Sequence, residues 1–230
     1  MAGARNKTNW FAIWVSIAAV VVIAGVGALV VWANNAASGP GTVPQSAVID
    51  TQTGAIAVGE GEQTLDTYVD FMCPVCGSFE AMYGEAIEGL VDDGTITLNL
   101  HPVSILDRLS SGTDFSTRAA NAMYAVAAAH PDLALEYLQV LFANQPAENT
   151  PGLSNEELIA LAEQIGATDA ADDINAGTYS QFVTHMTEKT PVQPGQSGIS
   201  TPTLAINGEV ISNSVLTGDP QADLVAKFTG

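Results

Sequence analysis

Two cysteines are all this chain has, and they stand three residues apart in Phe71-Met72-Cys73-Pro74-Val75-Cys76. Two cysteines scattered at random over 230 residues would take that spacing in roughly one arrangement in a hundred, so the pair reads as a built feature. Its flanks constrain the local fold. Thr64–Phe71 alternates, with Leu65, Thr67, Val69 and Phe71 on one face and Asp66, Tyr68 and Asp70 on the other, which predicts a strand running directly into the cysteines. Beyond them Phe79, Met82, Ala86, Ile87 and Leu90 recur at helical spacing, and Asp92-Asp93-Gly94 supplies a glycine just past the helix end. Thr95–Leu100 alternates again. The result is a β-α-β unit with the cysteine pair at its first turn.

Composition matters most at the N-terminus. From Trp10 to Ala33 no residue is charged, and Val, Ala and Ile dominate. About 20 apolar helical residues span a bilayer, so this stretch is long enough with some tilt. Trp10, Trp14 and Trp32 lie near its ends, where indoles favour the membrane interface, and Arg5 and Lys7 precede it. By the positive-inside rule residues 1–9 are expected in the cytoplasm, 10–33 in the membrane and 34–230 outside. The competing reading is a cleaved signal peptide, with small residues at Ala33-Asn34-Asn35-Ala36-Ala37; apolar cores of signals run about 7–15 residues, and this one is considerably longer. The outward part carries four basic residues (Arg108, Arg118, Lys189, Lys227) against 25 acidic ones, a net of −21. That sign argues against nucleic acid as a partner and against adhesion to anionic headgroups; it fits either solubility or a preference for cationic clients.

Residues 34–49 read as a linker, rich in Ala, Gly, Pro and Ser up to Gln45, and 50–230 as one domain. Ala55–Val58 is a candidate edge strand. Residues from about 112 to 192 read as helical: Thr117–Ala129 with Met123, Tyr124 and Ala127 on one face, then a helix opened by Pro131 and carrying Leu133 to Phe142. A third helix follows a capping box, Ser154-Asn155-Glu156-Glu157, and ends at Gly166; a fourth holds Tyr179, Phe182, Val183 and Met186. Thr203–Ile206, Asn207-Gly208 and Glu209–Ile211 spell a hairpin, and Pro220–Phe228 a last helix.

A second motif accompanies the cysteines: Ser200-Thr201-Pro202-Thr203 opens an apolar stretch with its proline 126 residues after Cys76. Asp70–Cys76 together with Thr201-Pro202 resembles the active site of thioredoxin-fold oxidoreductases, in their DsbA-like branch. The order of elements over residues 50–230 is similar to the α/β thioredoxin fold with that branch's helical insertion. The resemblance implies that Cys73 attacks from a helix N-terminus, where free backbone N–H groups and the helix dipole favour its thiolate. Each pKa unit of depression is worth about 1.4 kcal/mol. Cys76 would be the covered resolving thiol, and Pro74 suits a first turn that has no use for its N–H. Thr201–Pro202 would be a cis peptide facing the sulfurs, an extended backbone able to pair with client peptide.

Three plainer readings of the pair stand against this. A static disulfide closing so short a loop adds little stability. Two thiolates leave zinc incompletely ligated, and His101, His130 and His185 show no ligand spacing to them. Buried free thiols do not account for Phe71 and Pro74 around the pair. Two departures from the best-known DsbA pattern stand out. Val75 replaces a histidine that could hydrogen-bond the thiolate, and Thr67 stands where many members carry an acidic residue, six positions before the first cysteine. The expected function is therefore an extracytoplasmic thiol–disulfide oxidoreductase, with no cofactor and no metal, oxidising secreted proteins. The family implies a membrane redox partner of the DsbB or vitamin K epoxide reductase type. A disulfide reductase or isomerase, and a non-enzymatic copper-binding or assembly factor, are the alternatives.

Overall fold

The computed structural model describes residues 10–229, leaving aside the side chains of 11–13, 16, 18 and 31–38. It comprises two compact units, up to Gly39 and from Pro40 onward. The first is one helix, α1 (Trp10–Ser38). Each of its described side chains is exposed, including Val20, Val21, Val22 and Ile23. Over the described residues alone, no helix is long and apolar enough to cross a membrane. The N-terminal segment 1–9, expected in the cytoplasm, lies outside the described residues. One correction concerns the linker: α1 continues through Ser38, because 33–38 contains neither glycine nor proline and Gly39-Pro40 supplies the first stop.

The second unit is built on a five-stranded sheet in the order β1-β3-β2-β4-β5, from β1 (Ile56–Val58), β2 (Gln63–Val69), β3 (Ile96–Pro102), β4 (Thr203–Ile206) and β5 (Glu209–Ile211). β2 and β3 are parallel, with Leu65 opposite Leu98 and Val69 opposite Pro102. A parallel pair needs a crossover, which α2 (Pro74–Asp92) provides. Helix α2 ends as its sequence predicts: Gly94 has φ +74, and the N–H groups of Gly94 and Thr95 return to Val91 and Leu90. The hairpin β4–β5 turns on Asn207 and Gly208, both at positive φ (51 and 80). β1 is the expected edge strand. The unit begins ahead of residue 50, since Val43 and Val48 pack against the core and Ile49 bridges to Ile56.

The helical insertion comprises α3 (Phe115–Ala129), α4 (Ala134–Ala143), α5 (Asn155–Gln164), α6 (Ala171–Ala176) and α7 (Ser180–Thr187). The expectation of one apolar face on α3 fails. Phe115 and Ala119 through Ala127 are buried around the whole helix, and α4, α5, α6 and α7 all pack on it. Alanine permits this, because its small side chain lets neighbouring helices approach from every side. The two large polar residues pointing inward are satisfied: Tyr124 donates to the Gly54 carbonyl at 2.6 Å, and Tyr137 to that of Leu158 at 2.9 Å. The capping box is present, Ser154 Oγ accepting from Glu157 N and Glu157 Oε2 from Ser154 N. α6 is not legible in the sequence, being only six residues, Ala-Asp-Asp-Ile-Asn-Ala, with Ile174 as its one buried apolar anchor. The last helix starts as a wide π turn over Gln221–Val225 before α8 (Ala226–Thr229), so the expected single helix is interrupted.

Two glycines separate backbone strain from crowding. Gly152 has φ +70 and sits where a Cβ would fall on the Phe115 ring; Gly166 has φ +95 with open space around it. Gly166→Ala should cost about 1–2 kcal/mol from the left-handed backbone alone. Gly152→Ala should cost more, by a further ~1–3 kcal/mol of overpacking. Urea unfolding of both variants measures the difference.

Candidate active site

β2 ends at Val69, two residues short of the predicted strand, and the reason is chemical. Asp70 turns inward instead of continuing the alternation. Its carboxylate is fully buried and accepts from Met72 N (2.9 Å), Ser116 Oγ (2.7 Å) and Leu106 N (2.8 Å). The backbone bends into a turn in which Cys73 N donates to the Asp70 carbonyl at 3.0 Å. The reading of Asp70 as a residue of the opposite strand face is thereby corrected. Burial pushes its carboxyl up to about 6, against the pull of the three hydrogen bonds.

The turn delivers Cys73 to the N-cap of α2, with Pro74 in the first turn. Both thiols are free and both are buried, Cys73 at 5% exposure and Cys76 at 0%. Cys73 is thus less open than the attacking thiol expected from sequence. The two nevertheless differ in acidity. Cys73 is brought down to about 6, first by a hydrogen bond from the Cys76 thiol and then by the Thr201 side chain and the N–H groups of Cys76 and Val75, against the effect of burial. Cys76 is pushed well above the ordinary thiol range by burial, and by keeping its proton for Cys73. The Thr201–Pro202 peptide is cis, and the Thr201 carbonyl accepts from Cys73 Sγ at 3.4 Å. The residues predicted for the site therefore lie together: Cys73, Cys76 and Thr201 are in contact, Phe71 is buried under the loop, and Val75 stands exposed (59%) beside Pro202.

Several residues around the site were not singled out from sequence. Gln193, 5% exposed, donates to the Pro202 carbonyl and Thr203 Oγ1, while Asn213 Nδ2 donates to the same Pro202 carbonyl at 2.7 Å. Gln145 reaches the cysteine loop from beyond α4, donating to the carbonyls of Phe71 (3.1 Å) and Cys73 (2.9 Å). These are uncharged amides far away in sequence, so no local pattern could reveal them. Thr67 is buried, as its place on the strand predicts, and shares a small enclosed cavity with Glu80, whose carboxyl is raised to about 7 by burial and by Glu88. Beside the cysteines, Val75, Phe79, Met82, Pro202 and Leu216 line an open, mainly apolar groove of about 320 Å³. Among the described residues no cluster of three or more His, Cys, Asp or Glu could hold a metal. His101 is structural: it pairs with Asp66 at 2.9 Å and stacks on Tyr68.

A family model described as Thioredoxin matches residues 52–221. An oxidised DsbA of Mycobacterium tuberculosis superposes with a TM-score of 0.66 at 32% identity, over 76% of this chain and 90% of that one. A reduced disulfide bond oxidoreductase (DsbG) of the same species gives 0.64 at 33%, over 83% and 88%. MdbA of Actinomyces oris, a thiol-disulfide oxidoreductase, shares the fold (TM-score 0.61) at 20% identity, over 81% and 93%. A 112-residue stretch is 35% identical to the serine/threonine-protein kinase PknE of M. tuberculosis, which is 47% of this chain. The chain spans only about a fifth (20%) of that curated relative.

The depressed value of Cys73 sets a pH window. The folded value lies below the ordinary one, so the thiolate stabilises the reduced fold above the ordinary thiol range, and this contribution is lost as pH falls through about 6. Iodoacetamide should label Cys73 with a midpoint near pH 6 and leave Cys76 unmodified there. Equal labelling of both thiols would refute the assignment.

Proposed function

Starting from a chain that belongs to the thioredoxin family, as a DsbA-like protein thiol–disulfide oxidoreductase, we propose that it is the oxidase of an extracytoplasmic pathway, acting through Cys73 and Cys76 on reduced secreted proteins. The observation that carries this is the unequal acidity of two adjacent thiols beneath the Thr201 carbonyl. A stabilised thiolate stabilises the reduced form, which makes the disulfide a stronger oxidant. A client thiolate attacks Cys73 Sγ of the oxidised pair; the client–Cys73 bond forms, and Cys76 leaves with the electron pair and takes up a proton. A second client thiolate then attacks the client sulfur. Cys73 leaves as a thiolate, the client holds a disulfide, and the enzyme holds the Cys73 thiolate and the Cys76 thiol. The low value of Cys73 makes it the better leaving group in that last step. The Thr201-Pro202 backbone and the apolar groove beside it offer an extended client segment main-chain partners and a place for apolar side chains.

What supports this placement is α1 and the sequence it carries. A helix apolar on all sides is suited to lipid, and its full sequence from Trp10 to Ala33 is uncharged. Anchored this way, the domain would be reoxidised by a membrane partner of the DsbB or vitamin K epoxide reductase type. The protein should stay with membranes after an alkaline wash, and protease added outside should digest it from residue 34 onward. A soluble product beginning near Ala36 would support a cleaved signal instead.

Direction of flow is tested by the potential of the pair against glutathione. With Val75 in place of an imidazole, it should fall between about −120 mV (DsbA) and about −270 mV (thioredoxin). Val75→His should raise it by about 30–65 mV, the equivalent of one charge-assisted hydrogen bond of ~1.5–3 kcal/mol. A wild-type value near that of thioredoxin would favour a reductase. Cys76→Ser should accumulate disulfide-linked client adducts in cells, and Cys73→Ser far fewer; the reverse would overturn the roles.

A further inference from the structure

Gln145 follows Asn144, the C-cap of α4, and precedes Pro146, which restricts its backbone. Both hydrogens of its carboxamide are committed to the cysteine loop, at the carbonyls of Phe71 (3.1 Å) and Cys73 (2.9 Å). The Cys73 carbonyl also accepts Gly77 N at 3.1 Å, so it is the first intrahelical acceptor of α2. The carboxamide oxygen lies against Gly77: a Cβ at that position would fall on Gln145 Oε1. Gly77 has no positive φ and sits within α2, where alanine is the better helix former. Its lack of a side chain is therefore explained by the carboxamide rather than by its backbone. A tilted ring pair, Phe71 on Phe142 at 5.1 Å, ties the same loop to the same end of α4.

We propose that Gln145 is a positioning residue of the redox centre, making the Cys73–Cys76 disulfide more oxidising by holding the two loop carbonyls and the first turn of α2 around Cys73. Gly77 is the space that admits it. The two loop carbonyl oxygens, of Phe71 and of Cys73 itself, are negative dipole ends, and the carboxamide hydrogens offset them. Without these donors the carbonyls are free to turn, and the N–H groups of Val75 and Cys76 that favour the thiolate lose their fixed aim. The inference rests on Cys73 and Cys76 being the exchanging pair, and its test separates the two claims.

The full chain is equilibrated with glutathione buffers as wild type, Gln145→Ala, Gln145→Glu, Gly77→Ala and the double variant Gly77→Ala/Gln145→Ala. Gln145→Ala should make the pair more reducing by about three- to tenfold in the equilibrium constant, on the order of 15–30 mV. It should also raise the pH midpoint of Cys73 alkylation. Gln145→Glu should shift both further, since it brings a negative charge to the same carbonyls. Gly77→Ala should displace Gln145 and reproduce the shift of Gln145→Ala. In the Gln145→Ala background it should leave the potential unmoved and raise the melting temperature. A wild-type potential and midpoint in Gln145→Glu and Gly77→Ala, in a pair that equilibrates normally with glutathione, would overturn this role and leave the oxidoreductase reading intact. Additive shifts from the two sites would overturn the link between Gly77 and Gln145. A wild-type pair that fails to exchange with glutathione would overturn both readings.

Discussion

The buried carboxylate of Asp70 is the constraint on which the site depends. One side chain ends β2, turns the chain toward Cys73, and takes hydrogen bonds from the segment after β3 and from the first turn of α3. Removing a buried acceptor with three donors leaves each of them unsatisfied, and such losses run to about 1–3 kcal/mol per group. The sheet, the cysteine loop and the insertion are therefore joined at a single polar point. Apolar packing does the rest: Val69, Leu98 and Leu100 meet Phe79 and Ile87 of α2 and Leu135 and Leu138 of α4 around one small cavity.

From that point the chemistry of the two thiols diverges with very little displacement. Cys73 is at the mouth of α2, where the free N–H groups of Val75 and Cys76 point to its sulfur; the Cys76 thiol is buried more deeply, inside the first turn. Burial acts on both, but the hydrogen bonds to Cys73 outweigh it, whereas at Cys76 burial prevails. The insertion is part of this arrangement. Ser116, Phe142 and Gln145 all come from it, and all three end on the loop between Asp70 and Cys73.

Local chemistry explains what was legible in the sequence. The β-α-β unit, the capping box at Ser154, the Asn207-Gly208 hairpin and the end of α2 at Gly94 each follow from patterns a few residues long. The Cys73–Cys76 spacing and Thr201-Pro202 were equally visible, because their residue types are rare or conformationally distinctive. What escaped was set by packing over long separations. Asp70 looked like one more residue of an alternating strand until Leu106 and Ser116 were brought to it. α3 looked amphipathic because alanine reads as neutral on a helical wheel, whereas α4, α5, α6, α7 and β3 together bury it all round. Gln145 and Gln193 carry no charge and no motif, and their meaning lies only in the carbonyls they reach.

The same long separations bear on how the protein is made. Its reactive thiols are at positions 73 and 76, but the groups that shelter and tune them arrive at 116, 145 and 201. A ribosome releases the chain from its N-terminus, so the dithiol precedes most of its own enclosure. During that interval a protein with further cysteines could cross-link itself wrongly. This one has none beyond the pair, and the one internal disulfide it can form is the one it uses. The scarcity of cysteine thus protects a nascent disulfide catalyst from its own chemistry, and leaves encounters with other chains as the sole route to mispairing.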